Sequence, residues 1–225
     1  MMRSCIIFLC LAVCSLAQQE KCCVKQEMFA ATSGSVTGYH TGDYNGVVGN
    51  NVFAVADFIQ SKSMANTTLY VEGNTTYMMA INDYKQNTEW TIDFTAKKCE
   101  KAPLPEGSKL QRCIPDDATF LEQVTYPGNV LVNFWNMELN TPTQKGQVTL
   151  SVTAEDCLTA GVTFVGSTTS SGQEVDALYA AGYYNYKTLS DTSPYFKLPS
   201  FCDSSKAIHP KVKDAARRLM KIGFF

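Results

Sequence analysis

Val148-Thr149-Leu150-Ser151-Val152-Thr153 alternates strictly between apolar and hydroxyl side chains. Successive side chains of a strand point to opposite faces, so Val148, Leu150 and Val152 share one face and the hydroxyls take the other. That is the pattern of a half-buried antiparallel strand, one face dry and one wet. The same period returns at Trp90-Thr91-Ile92-Asp93-Phe94, with Trp90, Ile92 and Phe94 together and Thr91 and Asp93 opposite. Val130, Val132 and Phe134 share a face against Leu131 and Asn133, and Val162 goes with Phe164. Two denser runs, Val52-Phe53-Ala54-Val55-Ala56-Asp57-Phe58 and Tyr77-Met78-Met79-Ala80-Ile81, are apolar on both faces, as in strands that lie between layers or line a cavity.

Turn signals separate these runs: Tyr44-Asn45-Gly46, Glu72-Gly73-Asn74, Tyr126-Pro127-Gly128-Asn129, Gln144-Lys145-Gly146 and Ser170-Ser171-Gly172. Their spacing predicts about ten strands joined as hairpins. The segment from Cys99 to Cys113, which contains Ala102-Pro103-Leu104-Pro105-Glu106-Gly107, reads as a long surface loop with a cysteine at each end. No internal repeat or linker interrupts the pattern, so the chain reads as one all-β, mainly antiparallel domain over residues 18–203.

The residues before that domain speak to compartment. Arg3 is followed by the apolar run Cys5-Ile6-Ile7-Phe8-Leu9-Cys10-Leu11-Ala12-Val13-Cys14 and then by Ser15-Leu16-Ala17. A cation, an apolar stretch of about 10 residues and a small-x-small exit predict a secretory signal over 1–17, too short to span a bilayer. No later window is as apolar, so the secreted chain is expected to be soluble. Removal of the signal takes Arg3, and 18 Lys and Arg then face 21 Asp and Glu. Nothing in that balance draws the protein to nucleic acid.

Three of the nine cysteines leave with the signal, and Cys22, Cys23, Cys99, Cys113, Cys157 and Cys202 remain. An even number in an oxidising compartment predicts three disulfides. Zinc is a poor alternative, because there is no C-x-x-C and only His40 and His209 are available. Adjacent Cys22 and Cys23 can hardly bridge each other, so each reaches a distant partner. Two sequons, Asn66-Thr67-Thr68 and Asn74-Thr75-Thr76, predict N-glycans on Asn66 and Asn74, both facing water.

Residues 204–225 are expected to form a tail built on a basic amphipathic helix, Lys211 to Lys221, that follows Pro210. Val212, Ala215 or Ala216, Leu219 and Met220 fall at helical spacing, with Lys211, Lys213, Arg217, Arg218 and Lys221 mainly on the rest of its surface. Such a helix docks its apolar stripe on the sheet or hangs free as a tail; the sharper reading is contact with an anionic surface or lipid headgroups.

Chemistry is scarce. The sequence has no G-x-S-x-G elbow, no phosphate-cradling loop and no H-E-x-x-H. His40 lies in a turn-like polar stretch, His209 near the tail, and the acid pairs Asp116-Asp117 and Glu155-Asp156 in expected turns. None forms a catalytic set, so a binding protein is expected rather than an enzyme, with no cofactor and no local EF-hand loop for calcium. What stands out instead is an apolar surplus of 12 Phe, 11 Tyr, 2 Trp and 8 Met with only 18% charged residues. If the strands curve, inward aromatics and methionines can line an apolar pocket. Chosen by strand face alone, the candidates are Phe53, Val55, Met79, Trp90, Ile92, Phe94, Val132, Phe134, Val148, Leu150 and Phe164.

Several blocks, taken in order, resemble the ependymin-related family. They are Cys22-Cys23, Tyr44-Asn45-Gly46, Ile92-Asp93, Lys98-Cys99-Glu100-Lys101, Ile114-Pro115, Ala118-Thr119-Phe120, Trp135, Asp156-Cys157, and finally Asp191, Ser193-Pro194, Phe196, Pro199 and Cys202. The resemblance implies two stacked, curved sheets forming a half-barrel with a deep hydrophobic pocket, homodimerisation, calcium association, and roles in lipid binding, extracellular matrix and cell adhesion. It also implies a bond from Cys99 to Cys202 and another from the N-terminal cysteine position to Cys157. Cys113 and the second of Cys22 and Cys23 depart from the vertebrate pattern and are inferred to join each other. Two functions follow as expectations: a secreted carrier of a lipid or other hydrophobic molecule, or a structural matrix and adhesion glycoprotein, for example one contacting collagen, with no small ligand.

Overall fold

A computed structural model describes residues 19–41, 44–71, 74–141, 144–170, 173–204 and residue 208. The expected signal over 1–17, and the C-terminal tail with its helix except for Ser204 and Ile208, lie outside the described residues.

Eleven strands are described: β1 Met28–Thr41, β2 Tyr44–Asp57, β3 Lys62–Val71, β4 Asn74–Asp83, β5 Thr88–Asp93, β6 Lys98–Pro103, β7 Thr119–Tyr126, β8 Val130–Thr141, β9 Gln144–Thr153, β10 Thr159–Ser170 and β11 Gln173–Thr188. They form one antiparallel sheet in the order β6-β5-β4-β3-β2-β1-β11-β10-β9-β8-β7. The chain starts at the middle, meanders outward from β1 to β6, crosses through residues 104–118, and meanders back from β7 to β11. The two halves meet where β1 pairs with β11, from Phe29 opposite Thr188 to His40 opposite Asp176. This corrects the expectation of two stacked sheets. Alternation within a strand is the same in both arrangements, and only the hydrogen-bonded seam between β1 and β11 distinguishes them. A sheet of this many strands coils rather than lying flat.

A second correction concerns β5 and β6. Thr91 and Asp93 are buried, as are Ile92 and its neighbours, so β5 has no wet face. Cys99 belongs to strand β6 rather than to a loop. His40, likewise, is a strand residue near the end of β1.

Local chemistry explains the hairpins at β2–β3, β4–β5 and β5–β6. Asp57, Asp83 and Asp93 each end a strand, and each carboxylate accepts the backbone N–H three residues on, from Gln60, Gln86 and Ala96, at 2.7, 2.9 and 2.8 Å. The next residue in each turn, Ser61, Asn87 or Lys97, takes a positive φ of 57, 49 or 50°. Aspartate favours such turns because its carboxylate replaces the backbone hydrogen bond that the turn cannot make.

Three disulfides join Cys22 to Cys157, Cys23 to Cys113, and Cys99 to Cys202. The first two fasten an N-terminal strap, residues 19–27, to the β9–β10 turn and to the 104–118 crossover. Strap and crossover also pair through the backbone: Val24 donates to the carbonyl of Arg112 at 2.8 Å, and Ile114 donates to that of Cys22 at 2.9 Å. The third bond fastens a C-terminal strap, residues 189–204, to the edge strand β6. This strap contains two short 3-10 turns, Ser193–Phe196 and Ser200–Ser204.

Candidate functional site

Register decides which apolar residues can act together. Phe53, Met79, Ile92 and Cys99 lie in one cross-strand row, through Asn66 on β3, and Val55, Met64, Ile81 and Trp90 form the adjacent row. These residues share one side of the sheet, the Phe53 face. In the other half, Trp135, Leu150, Val162 and Ala181 form a row, and Met137, Val148, Phe164 and Tyr179 form the next. Tyr179 continues to Thr37 on β1 and Val48 on β2. Position 48 is five residues from position 53 along an unbroken register, so Phe164 and Phe53 occupy opposite faces of the sheet.

The eleven candidates therefore do not converge. Phe53, Val55, Met79, Trp90, Ile92 and Phe94 gather in one cluster on the Phe53 face. Val132 and Phe134 lie on that face but in the other half, where Phe134 packs on Tyr126 at 6.3 Å between ring centroids. Val148, Leu150 and Phe164 are on the opposite face, in a second cluster with Trp135, Met137 and Tyr179. Alternation sorts residues within a strand but cannot align one strand with the next.

The C-terminal strap covers the Phe53 cluster. Tyr195 packs on Phe53 at 5.9 Å, and Phe201 meets Phe94 edge-on at 6.0 Å. A buried clasp holds its start: Thr192 donates its hydroxyl to Asp57 at 2.5 Å, and the same carboxylate accepts from the side chain of Gln60 at 2.9 Å. The face is filled by the chain itself. Lys101 caps its edge, 5.5 Å above the ring of Trp90.

The Phe164 face is organised differently. At its base, under the N-terminal strap, a cavity of about 20 Å³ is lined by Val24, Phe29, Arg112, Ile114, Leu150 and Val152, among others. That volume holds one water-sized body. Away from the strap comes a row of small side chains, Gly146, Gly166 and Ala177, set between Leu139 and Tyr39, with buried Val175 beyond it. A Cβ on Gly166 would stand 2.1 Å from the carbonyl oxygen of Lys145, so β9 and β10 approach closely only because neither carries a side chain there.

Toward the seam the same face turns polar. Asn50 on β2 sits directly opposite Ser35 on β1, and Thr37 follows two residues on. Asn50 and Ser35 are only 8% and 6% exposed. Both amide atoms of Asn50, Oγ of Ser35 and Oγ1 of Thr37 are buried without a hydrogen-bond partner. Burial pushes the pKa of the neighbouring Tyr179 up, and Ser35 and Tyr183 partly offset that rise. Ser35 is thus near the phenol, yet its Oγ makes no hydrogen bond of normal geometry. Sequence reading missed this group, since short Ser, Thr and Asn side chains on a strand give no signal until their burial is known.

Two other expectations can be placed. Asn66 is half-buried between Phe53 and Met79, rather than fully facing water; the side chain of Asn74 lies outside the described residues. For calcium, no group of three or more His, Cys, Asp or Glu among the described residues is arranged to hold a metal ion. The buried Asp57 and Asp93 are occupied by their turns. His209 lies outside the described residues.

An antiparallel single-sheet domain, stapled by three disulfides and offering buried apolar faces, belongs to the class of β-sheet proteins built on a cross-linked scaffold. The chain belongs to the ependymin family, whose sequence model, described as Ependymin, matches residues 72–202, more than half of the chain. It is 26% identical over 130 residues to Ependymin-related protein 1 of Haliotis asinina, a match that covers 55% of this chain and 64% of that relative. Among solved structures it is similar to an uncharacterized conserved protein from Thermus thermophilus, with a TM-score of 0.50, 10% identity, and coverage of 78% and 88% of the two chains. A LolA superfamily protein from Nitrosomonas europaea also aligns, at a TM-score of 0.37 and 10% identity over 77% and 91% of the chains, too weakly to carry an argument. The Thermus likeness shows the fold alone.

Proposed function

We propose that this protein is a secreted glycoprotein, N-glycosylated on Asn66 and Asn74, that carries a lipid or other hydrophobic molecule on the Phe164 face. The observation that carries the reading is the pair of in-register rows, Trp135-Leu150-Val162-Ala181 and Met137-Val148-Phe164-Tyr179, running onto the small-residue row at Gly146, Gly166 and Ala177. The two larger rows are buried and the small-residue row beyond them is half-buried, so the shallow, partly open stretch of this apolar face is where a hydrophobic ligand fits. The cavity under the strap is far below the about 300–1,000 Å³ of a ligand pocket, so the ligand takes the end of the floor away from the strap. Three disulfides, the signal-like segment at 1–17 and family membership support secretion.

The test is uptake of N-phenylnaphthylamine, an uncharged hydrophobic fluorophore, by delipidated secreted protein. Ala177→Phe fills the shallow end of the floor without entering the packed rows and should weaken uptake at least about tenfold, equivalent to 1.4 kcal/mol, with the melting temperature little changed. No uptake by the unmodified protein, together with no lipid in its solvent extract, ends the carrier reading.

A second reading, an adhesive or matrix protein that pairs with itself or with a partner such as collagen, draws on the opposite face. Val47, Leu178 and Val165 stand in one row across the central strands through Gly38, and are 75, 53 and 57% exposed. Exposed apolar side chains grouped at the centre of a sheet suit a macromolecular contact. Leu178→Glu should then abolish self-association in sedimentation, or collagen binding, and leave fluorophore uptake intact. Unchanged association by the variant would remove this face from consideration.

A further inference from the structure

We propose that the hydrophobic ligand bears an uncharged polar head with both a hydrogen-bond donor and an acceptor, a hydroxyl or carboxamide, and that Asn50, Ser35 and Thr37 receive it. The inference rests on the carrier reading and names the class of ligand for that same face. Polar atoms buried without partners are rare in folded chains, because each forfeits its hydrogen bonds to water. Here four such atoms come from three residues, and they are neighbours: Asn50 and Ser35 are directly opposed across β1 and β2, and Thr37 is the next side chain of β1 on the same face. Cβ atoms of directly opposed residues are about 4.5–5.5 Å apart, so one small polar group can reach both.

Their position suits a head. The group lies on the Phe164 face beside the apolar floor, since Ser35 is opposite Ala181 and Thr37 is opposite Tyr179, the last members of the two apolar rows. A chain that runs from Ala177 diagonally across the strands past Thr37 would bring its end to Asn50. Their chemistry selects the head. The amide of Asn50 offers a donor and an acceptor, and each hydroxyl can serve as either. The cross-strand neighbours on this face, Ser33, Val48, Val52, Tyr179 and Ala181, carry no charge. An ionised carboxylate or phosphate would be desolvated there with no cation among those neighbours to compensate. An alcohol or amide would instead satisfy the orphaned atoms with no charge to desolvate.

The experiment is a competition series on the delipidated full-length secreted protein, with N-phenylnaphthylamine as reporter and four competitors of one chain length: a fatty alcohol, its primary amide, its carboxylic acid at neutral pH and its methyl ester. The alcohol and the amide should displace the reporter at concentrations at least about tenfold lower than the acid. Asn50→Leu should remove most of that preference while preserving reporter uptake. Its thermal stability should hold or rise, because an unpaired buried amide is replaced by an apolar group of similar size. Thr37→Val gives the same readout if the Asn50 variant fails to accumulate. Equal displacement by all four competitors, or a preference that survives both substitutions, overturns the head-group assignment and leaves the carrier reading standing. Strongest binding of the acid also overturns it. Absence of reporter uptake defeats the carrier reading, and the head-group assignment with it.

Discussion

Phe164→Ala should lower the stability of the secreted protein by about 3–5 kcal/mol, the range for truncating a buried phenylalanine where the surroundings relax only partly. Phe164 is 1% exposed, and its in-register neighbours, Val148 on β9 and Tyr179 on β11, are themselves buried. All three belong to strands held by backbone hydrogen bonds on both sides, so the sheet cannot close over the space that the ring leaves. A domain of ordinary stability, about 5–15 kcal/mol, would lose a large fraction of it. Urea unfolding followed by tryptophan fluorescence measures the loss through the shift in midpoint at constant slope. The variant also makes a connected prediction: an apolar molecule that fits the vacated space should restore part of the stability by binding the folded state. A loss below about 1 kcal/mol would mean that the ring is not packed as described, and that the floor is looser than its burial indicates.

Joint replacement of Cys99 and Cys202 by serine should have the next largest effect. This bond spans 103 residues and ties the C-terminal strap to edge strand β6. Removing a native disulfide from a secreted domain typically costs about 2–5 kcal/mol, largely because the unfolded chain regains freedom. The loss should be localised. The clasp of Thr192 on Asp57 secures the start of the strap, so release begins at the far end, where Phe201 covers Phe94. Limited proteolysis should then cut within 193–204, and an environment-sensitive dye should bind the uncovered Phe53 cluster. An unchanged melting temperature with no new cleavage would show that the aromatic contacts hold the strap unaided.

The sequence carries more of the fold than of the site, for a physical reason. Alternation at Val148–Thr153 and the turn residues between strands are local properties, and they place the elements and make the chain antiparallel β. Which face of β9 aligns with which face of β2 depends on hydrogen bonds between strands far apart in the chain. So Phe53 and Phe164 group together by character, although the register sets them on opposite sides. The buried underside of β5 has the same cause. Thr91 and Asp93 look solvated until neighbouring strands and their coverings are in place. Asn50 is hidden more deeply, because a polar side chain between Gly49 and Asn51 belongs to no apolar run, and only its 8% exposure and empty hydrogen-bonding shell mark it. The strap aromatics Tyr195 and Phe201 lie outside any alternating run, and what they cover is settled by tertiary contact.

The seam between β1 and β11 also governs how the protein is made. The strand that emerges early from the ribosome waits for one more than 130 residues later before its second edge is paired, and the three cross-links join positions 135, 90 and 103 residues apart. Contacts this remote in sequence make for slow folding. Until β11 arrives, the open edge of β1 is a template for strands of other chains. The centre of the sheet is therefore the last part to close, and yield on expression will depend on oxidising folding catalysts and on keeping nascent chains apart.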